Sequence, residues 1–482
     1  MTTARMTSSR VHQLPGKLLV AELFFEVPLD YADPTGPKIQ LFARAATRYE
    51  RPIVPAYAGT PAEAGFARVF DGKRPWLAYL EGGPGVGHRE PQDHPLTNPL
   101  LDRGYDVLYL DYRGTGMSTP ISAASLRRVA AAAQAQADYV KHFRADNNVR
   151  DCEAVRRCLT ADLAAPRGDG DGEDRRKWST FGQSYGGFVT LTYLSLAPEG
   201  LRECFMTGGL APLGRTAEQV YAQTYGRVDE RNAAYFSKYP EDVDTLSRLS
   251  SHILREHGGA IPLPAGGRLT VRRLFTLGQT FGAHGGLDAV HALLLRMRAD
   301  LDQHGLIARP ALSAFERFLA YDDCPFYAFM QEVIYCYGPG VSSDWAADRV
   351  GRTLDRYRWL SDPAAAADPA QYPLHFAGEM MYPFMFDDYP ELRELREVAD
   401  ILARHDGWPR LYDEARLARN EVPVYAASFD DMYVDMEFAR EVARKVKGIR
   451  VLETNVMYHN ALRSKTDELL AQIFKLRDDV ID

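Results

Sequence analysis

The sequence predicts an α/β fold: a mostly parallel sheet, entered through an N-terminal antiparallel hairpin and interrupted by a large helical insertion. Short apolar runs ending in glycine- or aspartate-rich punctuation occur before residue 211 and return after residue 412. Unbroken apolar strands are what a parallel sheet needs when helices cover both faces. Between them, long stretches with helical spacing dominate and strand signals almost vanish. Residues 1–211 and 412–482 therefore read as one core, and 212–411 as a helical cap inserted into it.

In chain order, "LLVAELFFEVPLDYADPTGPKIQLFARAA" reads as two strands around a Pro/Gly turn. A proline- and alanine-rich loop follows, from Tyr49 to Pro75. "PWLAYL" before "EGGPG" and "YDVLYL" before "DYRGTG" have the pattern of buried parallel strands. The alanine-rich region Ser122–Leu163 carries helical periodicity, which "APRGDGDGEDRRK" breaks. The acidic run beginning at Asp169 lacks the glycine at position six of a calcium loop and has Thr180 at position twelve, so it reads as a solvated turn. "KWSTFGQS" is a strand, "GGFVTLTYLSLA" a helix and "ECFMTGGL" a strand. Amphipathic stretches such as "LDAVHALLLRMRADLDQ" and "ELRELREVADILARH" fill the insertion. Strands resume with "VPVYAASF" and "IRVLETN", and "KTDELLAQIFKL" closes the chain on a helix.

Composition excludes several classes of function. The chain has 482 residues, 46% hydrophobic and 25% charged, ordinary for a globular protein. A formal charge of −8 and the lack of any basic run argue against a nucleic-acid or anionic-membrane partner. The N-terminus has no apolar core of signal-peptide length, and no later run approaches a membrane span, so an intracellular protein is expected. Five scattered cysteines without a C-x-x-C pair offer no zinc or redox motif and suit the reduced thiols of a cytoplasm.

"FGQSYGG", Phe181–Gly187, sets three glycines around one serine between a strand and a helix. That is the G-x-S-x-G pattern of a nucleophile elbow, in which a sharp turn exposes the serine oxygen above an α/β-hydrolase sheet. A serine nucleophile needs a base, and the base needs a group to orient it. In that fold the order is serine, acid, histidine. "VPVYAASF" is followed by Asp430 and Asp431, and the last strand by His459, the one histidine of twelve that lies beyond them. Asp431 is preferred to Asp430 because the loop after it, "MYVD", matches the usual gap to the next helix. An oxyanion needs backbone N–H donors, for which Tyr185 and Gly83 in "EGGPG" are placed. Asp111 and Arg113 in "DYRGTGMS" precede the serine and read as a structural ion pair with loop-ordering hydrogen bonds.

"GGPG" at 82–85, "DYRGTGMS" at 111–118, "GQSYGG" at 182–187 and the late "DDMYV" and "YHN", in this order, resemble the proline iminopeptidase (prolyl aminopeptidase) family of serine peptidases. The resemblance implies release of an N-terminal residue, typically proline, from peptides, without a metal or other cofactor. It implies Ser184 as nucleophile, His459 as base, Asp431 as orienting acid, and Gly83 and Tyr185 as oxyanion donors. Family members often have histidine before "GGPG", where this chain has Glu81. Such an enzyme must hold a free substrate amine, for which buried carboxylates are natural partners. Glu332 and Glu379 stand in aromatic, apolar runs, with Tyr335, Tyr382, Phe384 and Phe386 as candidate walls for a proline ring and Glu81 as a further acid. The competing reading is an esterase or amidase with the same triad and no need for a free amine.

Overall fold

Nine strands form one sheet: β1 (Arg5–Leu14), β2 (Leu18–Pro28), β3 (Lys38–Arg48), β4 (Trp76–Leu80), β5 (Asp106–Leu110), β6 (Trp178–Gln183), β7 (Leu201–Thr207), β10 (Val424–Phe429) and β11 (Ile449–Thr454). Between β7 and β10, β8 (Ala260–Pro262) and β9 (Arg268–Thr270) make a separate two-stranded ribbon. The computed structural model describes residues 2–49, 65–163 and 174–479. Most of the proline- and alanine-rich loop, and the acidic run read above as a solvated turn, lie outside the described residues.

The spatial order is β1-β2-β3-β5-β4-β6-β7-β10-β11. Neighbours are antiparallel from β1 to β5 and parallel from β5 to β11. This is an α/β-hydrolase sheet. Every residue of β4, β5 and β10 is buried, which explains why all but Asp106 and Ser428 are apolar. The helix Tyr185–Leu196 lies against the sheet and is buried over nearly its whole length.

Two elements escaped the sequence reading. Strand β1 pairs with β2 from Arg5–Glu26 to Leu14–Leu18, yet only Val11 in it is buried. An edge strand held by backbone bonds needs no apolar alternation, and polar side chains protect it from further pairing. The β8–β9 ribbon has three residues per strand, too few for a period to show. The segment between β7 and β10 is otherwise helical, with Ala217–Lys238, Asp242–Arg255 and Gly286–His304 its longest members. Thr216 and Gln219 close the first of these with a reciprocal capping box. Among the described residues, no helix is long and apolar enough to cross a membrane, and no cluster of three metal-ligating side chains occurs.

The expected ion pair of Asp111 with Arg113 is corrected by the structure. Arg113 pairs with Asp151, its Nε and Nη2 donating to the two carboxylate oxygens at 2.7 Å. Its remaining donors reach the carbonyls of Pro28, Leu29 and His142. Asp111 is occupied elsewhere, accepting from the backbone N–H groups of His88 at 2.8 Å and Met117 at 2.9 Å. Arg113 thus ties the end of β2 to the helix Ala145–Leu159 from a fully buried position. Removing one partner of a buried pair strands the other charge, so Arg113→Leu should lower unfolding stability by about 3–5 kcal/mol. The joint change with Asp151→Leu should cost less, as chemical denaturation midpoints would show.

Candidate active site

The candidate residues sit on loops at the C-terminal ends of parallel strands, where open α/β sheets bind ligands. Ser184 follows β6 with φ 53° and ψ −120°, a left-handed conformation that non-glycine residues rarely adopt. Its N–H donates to Thr207 O at 2.9 Å, fixing the turn against the end of β7. The glycines around it answer to contact. A Cβ on Gly186 would collide with the Leu80 carbonyl, and one on Gly182 with the Gly186 carbonyl. Small residues let the helix pass directly under β4, and the serine is carried at the crest.

His459 lies beyond β11, and its Nδ1 is 2.9 Å from Asp431 Oδ2. The other oxygen of Asp431 accepts from the N–H groups of Tyr433 at 2.6 Å and Val434 at 2.8 Å. The Asp431 side chain is 0% exposed, whereas that of Asp430 is 48% exposed and faces Arg227 at 3.4 Å. Burial pulls the His459 imidazole down, and the Asp431 carboxylate, helped by Glu379, outweighs it and raises its pKa. The ring of Tyr433 stands edge-on to that of His459 at 4.7 Å.

Ser184 and His459 line one cavity of about 280 Å³, together with Glu81, Gly82, Gly83, Glu379 and Tyr433. No hydrogen bond joins the serine to the imidazole here. Such contacts commonly tighten only when substrate binds. The N–H groups of Gly83 and Tyr185 have no acceptor among the described residues, and the Gly82–Gly83 turn abuts Ser184. Glu379 reaches the cavity from the inserted segment, with Tyr327 Oη donating to it at 2.6 Å. Burial pushes its carboxyl above the usual range, against the pull of Tyr327 and His459.

Glu81 is 2% exposed and also lines the cavity. Its Oε1 accepts from Gly82 N–H at 3.1 Å, while Oε2 stands 3.6 Å from His88 Nδ1, an ion-pair separation. Burial would raise this carboxyl, but His88, Arg463 and the Gly82 N–H hold it down at about 2. An imidazole therefore does stand beside position 81, contributed from seven residues further on. The remaining candidates lie elsewhere. Glu332 is buried in the insert, its oxygens accepting from Ala346 N–H at 3.1 Å and Ala347 N–H at 2.9 Å. Tyr335 lines a small neighbouring void with Phe188 and Tyr433. Tyr382 bonds to Tyr225 at 2.9 Å and stacks on Phe384, and Phe386 packs on Phe329 and Trp345. These four aromatics and Glu332 are absent from the cavity lining.

The sequence reading did not single out Tyr433, His88, Tyr327 or Arg463. Tyr433 carried a signal, since it lies within "DDMYV" directly after the acid. The other three act across distances in the chain that no local pattern marks.

Two curated relatives match this chain almost end to end. A proline iminopeptidase of Aspergillus aculeatus (aneH) is 37% identical over 481 residues, covering 99% of this chain and 98% of the relative. The chain belongs to the proline iminopeptidase family. A second member, the proline iminopeptidase of Aeromonas sobria, is 36% identical over 478 residues, covering 98% of this chain and 100% of its own. No family model matches. Among solved structures, a 2-hydroxy-6-oxo-6-phenylhexa-2,4-dienoate hydrolase from Rhodococcus sp. strain RHA1 aligns with a TM-score of 0.38 at 12% identity, covering 99% of this chain and 100% of that one. A proline iminopeptidase from Mycobacterium smegmatis gives 0.37 at 13%, covering 98% of each chain.

Burial pushes the Glu332 carboxyl up to about 8, although the Ala347 and Ala346 N–H groups oppose it. Its ordinary value is 4.5, so the folded chain holds this proton more tightly than the unfolded chain does. The associated stability is complete below the ordinary value and is lost as pH rises through the folded one. Glu332→Gln removes the titration. Melting temperatures should therefore show the wild type losing stability relative to this variant between about pH 5 and about pH 8.

Proposed function

We propose that this chain is a serine exopeptidase that releases an N-terminal residue, preferentially proline, from peptides through a Ser184–His459–Asp431 triad and an acyl-enzyme. The observation that carries the reading is the half-buried carboxylate of Glu379 in the same cavity as Ser184 and His459. An esterase has no use for such a group, whereas an aminopeptidase needs an anion to hold the substrate's charged amine. The names of the two curated relatives support the same activity. Residues 1–211 and 412–482 would form the catalytic core and 212–411 its cap, and the five free thiols agree with a cytoplasmic setting.

The chemistry follows from the placement. Asp431 holds the Nδ1–H of His459, which leaves Nε2 as the base. Ser184 Oγ attacks the carbonyl carbon of the N-terminal residue while Nε2 takes its proton. The carbonyl oxygen becomes an oxyanion, which the N–H groups of Gly83 and Tyr185 receive. Collapse breaks the C–N bond, and the imidazolium gives its proton to the departing amine. Water, deprotonated by the same imidazole, then hydrolyses the ester and frees the amino acid. Glu379 pairs with the substrate ammonium throughout and thereby sets which residue lies over Ser184.

Prolyl-arylamide, its N-acetylated form and a p-nitrophenyl ester separate the readings. The free prolyl-arylamide should be cleaved and the acetylated one should not; equal cleavage of both would favour the esterase. Ser184→Ala should fold and lose about 10⁴–10⁶-fold in kcat. Glu379→Gln should raise KM on the order of tenfold, because a half-buried charged partner is lost. The base works only when neutral, and its pKa is raised above the ordinary 6.5. The acid limb of kcat/KM should therefore lie above that value in the wild type. It should move to lower pH in Glu379→Gln, where one of the charges raising it is gone.

A further inference from the structure

We infer that Arg463 recognises the C-terminal carboxylate of short substrates, so that the enzyme is tuned to prolyl dipeptides and tripeptides rather than to the ends of long polypeptides. This rests on the exopeptidase reading above and adds to it the class of peptide.

Arg463 lies four residues beyond His459, on the short helix Ala461–Ser464, and lines the cavity that holds Ser184. Its side chain is 42% exposed, and among the described residues its one ion-pair partner is Glu81, at 3.5 Å. Among the described residues no hydrogen bond engages its guanidinium, which has five N–H donors to offer. Glu81 does not cancel it, because the same carboxylate also faces His88 at 3.6 Å. Glu81 is shared between the guanidinium and an imidazole, so its one carboxylate does not occupy the donors of Arg463.

The charges in the cavity suit a zwitterion. Glu379, from the insert, can take an ammonium, while Arg463, from the core loop that carries His459, can take a carboxylate. Ser184 attacks the bond between them. At about 280 Å³ the cavity falls just below the roughly 300–1,000 Å³ usual for ligand sites, a size that suits a ligand of two or three residues. A planar guanidinium matches a carboxylate bidentately, which a point charge does not.

The test compares kcat/KM for prolylglycine and prolylglycinamide, which differ only in the terminal charge, with prolyl-arylamide as a third substrate. The wild type should prefer the acid over the amide by about five- to tenfold, the size of a partly exposed charge-assisted contact. Added salt should shrink that preference. In Arg463→Gln the acid-to-amide ratio should fall to about one, and Arg463→Lys should keep part of it. Intrinsic differences between the two leaving amines cancel when variants are compared. A wild type indifferent to the terminal charge, or an acid preference that survives in Arg463→Gln, would overturn the assignment while arylamide cleavage leaves the exopeptidase reading standing. A wild type that cleaves none of the three would overturn both.

Discussion

The contact between Gly186 and the carbonyl of Leu80 is the constraint on which the rest depends. A helix can start immediately after β6 and still clear the end of β4 only if no side chain intervenes there. That close passage forces the backbone at Ser184 into its left-handed conformation and lifts the side chain to the rim of the sheet. It also brings the Gly82–Gly83 turn beside the serine, because that turn leaves the strand the helix crosses. One steric requirement thus sets both the hydroxyl and the neighbouring backbone donors.

Electrostatics organises what the sterics assemble. Three carboxylates surround the cavity, and each is in a different state. Asp431 is fully withdrawn from solvent and saturated by two backbone N–H groups and His459. Glu81 is held as an anion by Arg463, His88 and a backbone N–H. Glu379 has the Tyr327 hydroxyl, the Gln331 amide and the His459 imidazole as partners but no arginine or lysine among them, which leaves it receptive to a cation. Proteins commonly divide work between like groups by giving them unlike surroundings.

Much of this was legible in the residues, and the exceptions have physical reasons. The central strands announced themselves because both of their faces are covered, and of the residues singled out beyond them, His459 meets Asp431 at 2.9 Å and lines one cavity with Ser184. Strand β1 was invisible because its side chains are mostly polar and exposed, with Val11 its one buried residue. The aromatic run from Tyr382 to Phe386 looked like a pocket wall, but the insert needs a core of its own, and those rings supply it. Glu332 and Glu379 looked alike in sequence, each an acid in an apolar run. Only the fold shows that one caps a turn of backbone while the other faces the serine. Charges such as His88 and Arg463, which meet Glu81 from 7 and 382 positions away, leave no trace in any local pattern.

The loop from Asp430 to Asp435 grips in two directions. On one side Asp431 steadies His459. On the other, Asp435 receives Arg227 at 2.8 Å and Gln223 at 3.1 Å, and the Tyr433 hydroxyl donates to the Gln279 carbonyl at 2.5 Å, all three partners belonging to the insert. A rigid swing of the insert would tug on the same six residues that keep the imidazole in place. Any shift of that segment would thus be felt, through Asp435 and Tyr433, at the residues that orient the imidazole.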